Sequence, residues 1–247
     1  MTKIRDIGKL SYSQISLYKQ CPRLWYEQYV LGHRLEEVSQ ALSFGIAYHA
    51  GVEELMKLWG KNSALSEAQS KFEWEYCFGR MPGPDEDKWM PIGDKLLLNL
   101  AHKLREFDFE PVTIEQMIER NNFRGRIDCV ANVNGHKTII DWKTASREYD
   151  PSHVDTDEQL TAYNYLMPDI EFLAFCVGVK GTQNVYWYET IRTKQQVDEF
   201  EQMVKSTRRE METLEKFPGM YNREACMAWN RKCDMWQGDW CEGLDDF

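Results

Sequence analysis

The chain has no apolar run long enough to span a bilayer. Residues 1–10 also lack the apolar stretch of a signal peptide. The expected address is therefore the cytoplasm. No internal repeat, low-complexity linker or GxxxxGK[ST] stretch is present, which removes solenoid architectures and a built-in helicase motor. Basic residues are in short supply, with 30 Lys and Arg against 40 Asp and Glu and a net charge of −10. A protein that coats nucleic acid usually shows a basic surface, so a broad DNA-coating role is disfavoured. A site that gathers carboxylates around a cation, or a local basic groove, is compatible with an acidic exterior. The 7 cysteines are odd in number. A reducing compartment argues against a disulfide framework and turns the question to metal binding.

What is present is enough for a substantial core. Of 247 residues 43% are hydrophobic, including 9 Trp, 12 Tyr and 11 Phe, and one domain of generous size is expected. Apolar periodicity predicts helices over 13–31 (capped by Ser11 or Ser13), 42–59, 65–77 and 92–107, with a break at Met81-Pro82-Gly83-Pro84. Alternation then predicts strands over 112–119, 125–133 and 137–144. A helix over 156–166, strands over 172–179 and 185–192, and a long charged helix over 194–216 follow. The tail is rich in Trp and Cys. The expected organisation is a single domain, 1–247, with a mainly helical part (1–110), an α/β core (111–193) and a C-terminal helix with a Cys-rich tail (194–247).

Asn134-Gly135 between two alternating strands is a strong hairpin signal. A two-residue loop there pairs residues whose numbers sum to 269, which sets Asp128 opposite Asp141. Cross-strand Cβ atoms lie roughly 4.5–5.5 Å apart. Two carboxylates that close repel, and a divalent cation between them resolves the conflict. Lys143 shares the face of Asp141, where an ammonium can orient a water or stabilise charge at a phosphate. Trp142 and Ile140 face the opposite way, into a core. An exposed polar hairpin face is the other reading of the same pattern.

Gly125-Arg126-Ile127-Asp128, Ile140-Asp141-Trp142-Lys143-Thr144 and Gln159-Leu160-Thr161-Ala162-Tyr163, in that order, resemble the RecB-like branch of the PD-(D/E)xK nuclease superfamily. So do Ser11-Tyr12-Ser13 with Tyr18, Cys21-Pro22 and Trp25-Tyr26, and Phe44-Gly45-Ile46-Ala47-Tyr48-His49. The resemblance spans Ser11 to Cys241. It implies a restriction-endonuclease-like α/β core, a central mixed sheet flanked by helices. It implies that Asp128, Asp141, the Trp142 carbonyl and His49 ligate Mg²⁺ or Mn²⁺, that Lys143 is the catalytic lysine, and that Gln159 and Tyr163, one helical turn apart, support the site. Glu115 and Glu119 precede Asp128, and a structural or outer role is favoured for both.

Some members of that branch hold a four-iron, four-sulfur cluster on one N-terminal and three C-terminal cysteines, which here implies Cys21, Cys226, Cys233 and Cys241. Those relatives pair two C-terminal cysteines closely, whereas this chain leaves six and then seven residues between its three. Zinc or free thiols remain the alternatives. Cys77, Cys129 and Cys176 read as ordinary core cysteines. Arg23, Arg124 and Arg126 are candidate phosphate contacts, and Tyr12 or Trp25 could stack on unpaired bases, although most first-helix aromatics read as core.

The resemblance implies DNA as the substrate, and with no recognisable sequence-reading module and no helicase P-loop a stand-alone exonuclease acting on DNA ends, with single-stranded DNA in the site, is the preferred reading. A structure-specific endonuclease, a nuclease subunit of a recombination or CRISPR-adaptation complex, and a non-catalytic DNA-binding scaffold are the alternatives. Small size without a motor leans toward a phage or mobile-element enzyme. The acidic tip Gly243–Phe247 reads as a frayed terminus rather than a dock for a replication or recombination partner.

Overall fold

The computed structural model describes residues 6–33, 39–79, 82–227 and 232–241. The acidic tip lies outside them. Chain contacts divide the molecule into two compact units. One takes Met1–Glu37, Glu119–Arg124 and Asp198–Phe247; the other takes Val38–Ile118 and Gly125–Val197.

The second unit is built on a mixed sheet in the order β1-β2-β3-β4-β5. The strands are β1 (Phe109–Arg120), β2 (Phe123–Val133), β3 (His136–Ala145), β4 (Phe172–Val179) and β5 (Val185–Thr190). Asn134 and Gly135 both take positive φ, 50° and 85°, the conformation of a type I′ turn, whose twist matches that of the flanking strands. The register is the expected one, from Val133↔His136 to Cys129↔Ile140. β3 then runs parallel to β4, and a parallel pair needs a crossover. Two helices supply it, α6 (Pro151–Thr156) and α7 (Glu158–Leu166).

The helix expected over 156–166 is α7, which starts two residues later because the Asp157 side chain accepts from the Gln159 and Leu160 N–H groups and caps it there. The short α6 before it was not expected; the extended backbone of Asp157 ends it.

One face of the sheet packs on α3 (Gln40–Lys57), α4 (Ala64–Phe78) and α5 (Glu86–Leu104). Ser39 caps α3. α5 begins six residues earlier than periodicity suggested and carries Pro91 in its second turn. Phe44, Phe72, Tyr76, Leu96, Ile140 and Trp142 form the centre of this core. Each such burial contributes about 1.5–3 kcal/mol. The other face packs Val130, Ile139, Phe175 and Val177 against Leu160 and Tyr163 of α7. Trp142 and Ile140 thus lie on the α3–α5 side, as alternation required.

The first unit contains α1 (Tyr12–Gln20), α2 (Pro22–Trp25), a π-helical stretch Tyr26–Leu31, and most of α8 (Lys194–Thr213). The short α9 (Arg223–Cys226) and α10 (Asp234–Gln237) complete it. The continuous helix expected over 13–31 is broken at Cys21, whose extended backbone precedes Pro22, as residues before proline prefer. α8 buries Phe200, Val204, Thr207 and Met211, a 4-3-4 spacing that makes one stripe. Trp25 is 1% exposed and packs its ring on Tyr18 and Phe217. It belongs to this core, and burial denies it the base-stacking role considered above.

Candidate active site

Beyond Cys129↔Ile140 the Asp128 carboxylate takes over from the ladder, its Oδ2 accepting from the Trp142 backbone N–H at 3.0 Å. The carboxylate is thereby fixed beside β3 rather than left to rotate. α3 brings the His49 ring to the same place, with Nδ1 3.5 Å from Asp128 Oδ2. The ring also bonds to the Trp142 backbone. β1 supplies Glu115. Ligand atoms of His49, Glu115 and Asp128 all lie within 4.8 Å of one another.

Sequence reasoning had favoured an outer role for Glu115. The signal it missed is conformational. Glu115 has φ 52° in the middle of a strand, whereas a non-glycine residue at positive φ is uncommon and belongs mostly to turns. Such a residue re-aims its side chain, and here it points into a cleft of about 620 Å³ lined by His49, Glu53, Glu75, Arg126 and Asp128 among others. Glu119, by contrast, is exposed and paired with Lys9.

Asp141 stands outside that triplet and is held from α7. Its Oδ1 accepts from Gln159 Nε2 and from the Tyr163 hydroxyl, each at 2.9 Å. Lys143 Nζ lies 2.6 Å from Asp141 Oδ2 and donates to Gln159 Oε1 at 2.8 Å. The i, i+4 spacing of Gln159 and Tyr163 puts both on one face of α7, and Gln159 Nε2 closes the ring on the Tyr163 oxygen at 2.8 Å. Asp141 Oδ2 is buried and accepts no well-aligned hydrogen bond. The Lys143 ammonium lies beside it, and the oxygen keeps lone-pair capacity for a cation.

Burial, then the charge of Asp141, holds the Asp128 carboxyl well above its usual pKa, against the pull of the Trp142 N–H. Burial raises Glu115 as well, opposed first by Arg126, whose Nε is 2.5 Å from Glu115 Oε2. Burial lowers His49 despite the nearby Asp141, which favours the neutral imidazole that ligates metals. For Lys143 burial works against the charged form, and Asp141 outweighs it, so the ammonium is retained. A pocket whose carboxylates are pushed up and whose imidazole is pushed down is short of positive charge. These donors fit a hard divalent cation, which accepts oxygen and imidazole ligands.

The other expected residues are scattered. Arg126 lines the cleft. Arg124 is exposed, and its backbone is bonded to Leu10. The Arg23 guanidinium lies 2.5 Å from the buried Glu27 carboxylate. Tyr12 opens α1 in the first unit. Also in that unit, Cys21, Cys226, Cys233 and Cys241 come together around Leu24, Ala225 and Met235. Cys233 N–H donates to the Cys226 carbonyl at 2.8 Å, and burial raises both of those thiols. Cys129 and Cys176 are buried in the α3–α5 core, and Cys77 packs against it. No helix among the described residues is long and apolar enough to cross a membrane.

The chain belongs to the PD-(D/E)XK nuclease superfamily, whose family model matches residues 9–243. Its fold is similar to that of LHK-Exo, an alkaline exonuclease from Laribacter hongkongensis, with 12% identity over 67% of this chain and 90% of that one and a TM-score of 0.35. The same values hold for LHK-Exo in complex with dAMP. SSO0001 matches at 16% identity over 79% of this chain and 84% of its own, with a TM-score of 0.30. No curated protein matches the chain by sequence.

Proposed function

We propose that this protein is a divalent-metal-dependent deoxyribonuclease of the RecB-like kind that hydrolyses phosphodiesters at DNA ends, with single-stranded DNA in the site. The observation that carries the reading is the convergence of His49, Glu115 and Asp128 within 4.8 Å, one strand away from an Asp141–Lys143 pair braced by Gln159 and Tyr163.

His49, Asp128, Asp141 and the Trp142 carbonyl would hold Mg²⁺ or Mn²⁺, with Glu115 added to that set. Such a cation, when bound, neutralises charge on the scissile phosphate and makes a water easier to deprotonate. Lys143 is positioned to donate to the attacking water or to a phosphate oxygen. The water oxygen forms a bond to phosphorus and gives up a proton to bulk water, the bond to the leaving sugar oxygen breaks, and that oxygen takes up a proton from bulk water. Gln159 and Tyr163 keep Asp141 and Lys143 at fixed spacing throughout. Arg126 lines the approach.

Incubation with Mg²⁺ or Mn²⁺ and 5′- or 3′-blocked linear DNA, single- and double-stranded, alongside a closed circle, tests the reading. The expected result is digestion of linear DNA, a spared circle, and activity abolished in Lys143→Ala with its melting profile intact. Cutting of the circle points to an endonuclease. DNA binding without cleavage under any divalent metal points to a scaffold.

For the cysteines the reading is a four-iron, four-sulfur cluster on Cys21, Cys226, Cys233 and Cys241. Their common apolar nest supports it. Brown protein with broad absorbance near ~400 nm, lost in Cys233→Ser, is the expected result; colourless anaerobic protein holding zinc or no metal overturns it.

A further inference from the structure

We propose that a second concavity beside the cleft is a subsite for an unpaired nucleotide of the strand being cut, with Lys180 taking a phosphate and the Trp89 indole taking the base. The inference rests on the nuclease reading above and adds a place for the flanking strand.

The cavity holds about 480 Å³ and is walled by Gln40, Phe44, Lys88, Trp89, Ser146 and Lys180, among others. That is the size of a small-ligand pocket rather than an ion site. Ala41 borders both this cavity and the metal-side cleft, so the two share a wall. Ser146 follows Lys143 by three residues on the same strand and its exit. Gln40 and His49 are nine residues apart on α3, about 13 Å along the axis.

Charge separates the two concavities. The cleft is lined by Glu53, Glu75, Glu115 and Asp128 against Lys71 and Arg126, each of which is paired with one of those carboxylates, and the excess of acid repels a polyanion until a cation arrives. Among the described residues no acidic side chain lines the second cavity, and two lysines do. In a chain of net charge −10, such a spot is where a DNA backbone finds attraction that needs no metal.

Lys180 is half-buried, and its backbone N–H donates to Ala145 at 2.9 Å, which fixes its stem. Its ammonium stands 5.4 Å from the Phe44 ring centre and 5.9 Å from that of Trp89. Among the described residues no carboxylate pairs with it. Burial alone lowers its pKa, with no neighbouring charge to offset the cost. A partly desolvated cation without a counter-ion is expensive, and an incoming phosphate supplies the missing partner. Lys88 lies on the exposed rim, 4.7 Å over the Trp89 ring. Its stem can swing to a phosphate as a base takes its place on the indole, because aromatic stacking accepts any base.

The test is equilibrium binding of a labelled 12-mer of thymidylate to full-length protein with Mg²⁺ present, in the Lys143→Ala background so that the substrate stays intact. Lys180→Met is expected to raise Kd about 5- to 20-fold and to flatten the salt dependence by close to one phosphate contact. Trp89→Leu is expected to raise Kd by about 5-fold or more, and Lys180→Arg to restore the background value. Lys137→Met, which removes one exposed lysine elsewhere on β3, controls for net charge and is expected to stay within twofold. A blunt duplex of equal length is expected to be indifferent to all of these changes.

Kd and salt slope in Lys180→Met and Trp89→Leu matching the Lys137→Met control, with melting profiles intact, overturn the subsite alone. Equal losses on the blunt duplex overturn its preference for an unpaired nucleotide. No binding by the background protein together with no cleavage by the wild-type chain overturns the nuclease reading, and the subsite with it.

Discussion

Gln159 Nε2 donates to Asp141 Oδ1 at 2.9 Å, while the oxygen of the same amide accepts from Lys143 at 2.8 Å. One side chain of α7 thereby sets the distance between a carboxylate and an ammonium two residues apart on β3. Gln159→Leu removes both bonds and leaves the Asp141–Lys143 pair without its brace from α7. Outer hydrogen-bond partners of metal sites are typically worth about 10- to 100-fold in activity. A loss of that size is expected in single-turnover cleavage of end-labelled DNA, with little change in melting temperature. Gln159→Glu should be at least as damaging, because it adds a carboxylate against Asp141. A cleavage rate within twofold of the parent in either variant would remove Gln159 from the machinery.

The metal reading makes a separate, non-catalytic prediction. Asp128, Glu115 and Asp141 crowd together without a cation, so Asp128→Asn and Glu115→Gln relieve repulsion in the metal-free protein. Each variant is expected to melt at or above the parent in EDTA. A ligand at 100 times its Kd adds about 2.7 kcal/mol to stability. The rise in melting temperature on adding Mn²⁺ should therefore be clear in the parent and much smaller in both variants. Equal Mn²⁺-induced rises in parent and variants, read by scanning calorimetry, would sink the assignment of these carboxylates as ligands.

The hairpin was legible in the sequence because a two-residue turn leaves no freedom of register, and Asn134-Gly135 names that turn. The α7 face was legible because the spacing of Gln159 and Tyr163 is one helical turn. Glu115 was not legible, since nothing in Val112 to Glu119 announces a positive φ at one position. The break at Cys21 was missed for a related reason. Periodicity continues across it, while a local backbone preference before Pro22 decides the outcome. The six residues of α6 are too few to show a period of their own. The lysine–tryptophan cavity joins residues 40, 89, 146 and 180, a combination that only the packed chain brings together.

Packing in the α3–α5 core predicts a coupled pair. The Phe72 ring occupies the space a side chain at Gly93 would need, with Phe72 Cζ only 2.0 Å from where its Cβ would stand. Phe72 also contacts Phe44 and Tyr76 at ring separations of 5.5 and 5.9 Å. Gly93→Ala is expected to cost about 1–3 kcal/mol by overpacking, and Phe72→Leu to cost a similar amount through lost contacts. In the double variant the new methyl fills part of the space the ring gave up. Denaturant melts should then show a total loss smaller than the sum of the single losses by more than about 0.5 kcal/mol. Simple additivity would mean that the two positions do not share this space.

Asp94 of α5 predicts a pH dependence that lies away from the metal cluster. Burial, and then the charge and hydrogen bond of Glu73, raise its pKa to about 6, and its Oδ1 is buried without a hydrogen-bond partner. The folded state therefore binds this proton more tightly than the unfolded chain, whose aspartates titrate near ~3.9. The corresponding stability is fully present below the unfolded value and is lost as pH rises through about 6. Partial exposure screens the pair, so the effect should be about 1 kcal/mol, or roughly 2–4 °C in a chain of this size. Asp94→Asn keeps the shape and cannot ionise. In metal-free buffer it is expected to melt with the parent near pH 4 and above it at pH 8, the gap opening between about pH 5 and 7. A gap that is constant across that range, or that opens in the opposite direction, would mean that Asp94 carries its charge in the folded protein without penalty.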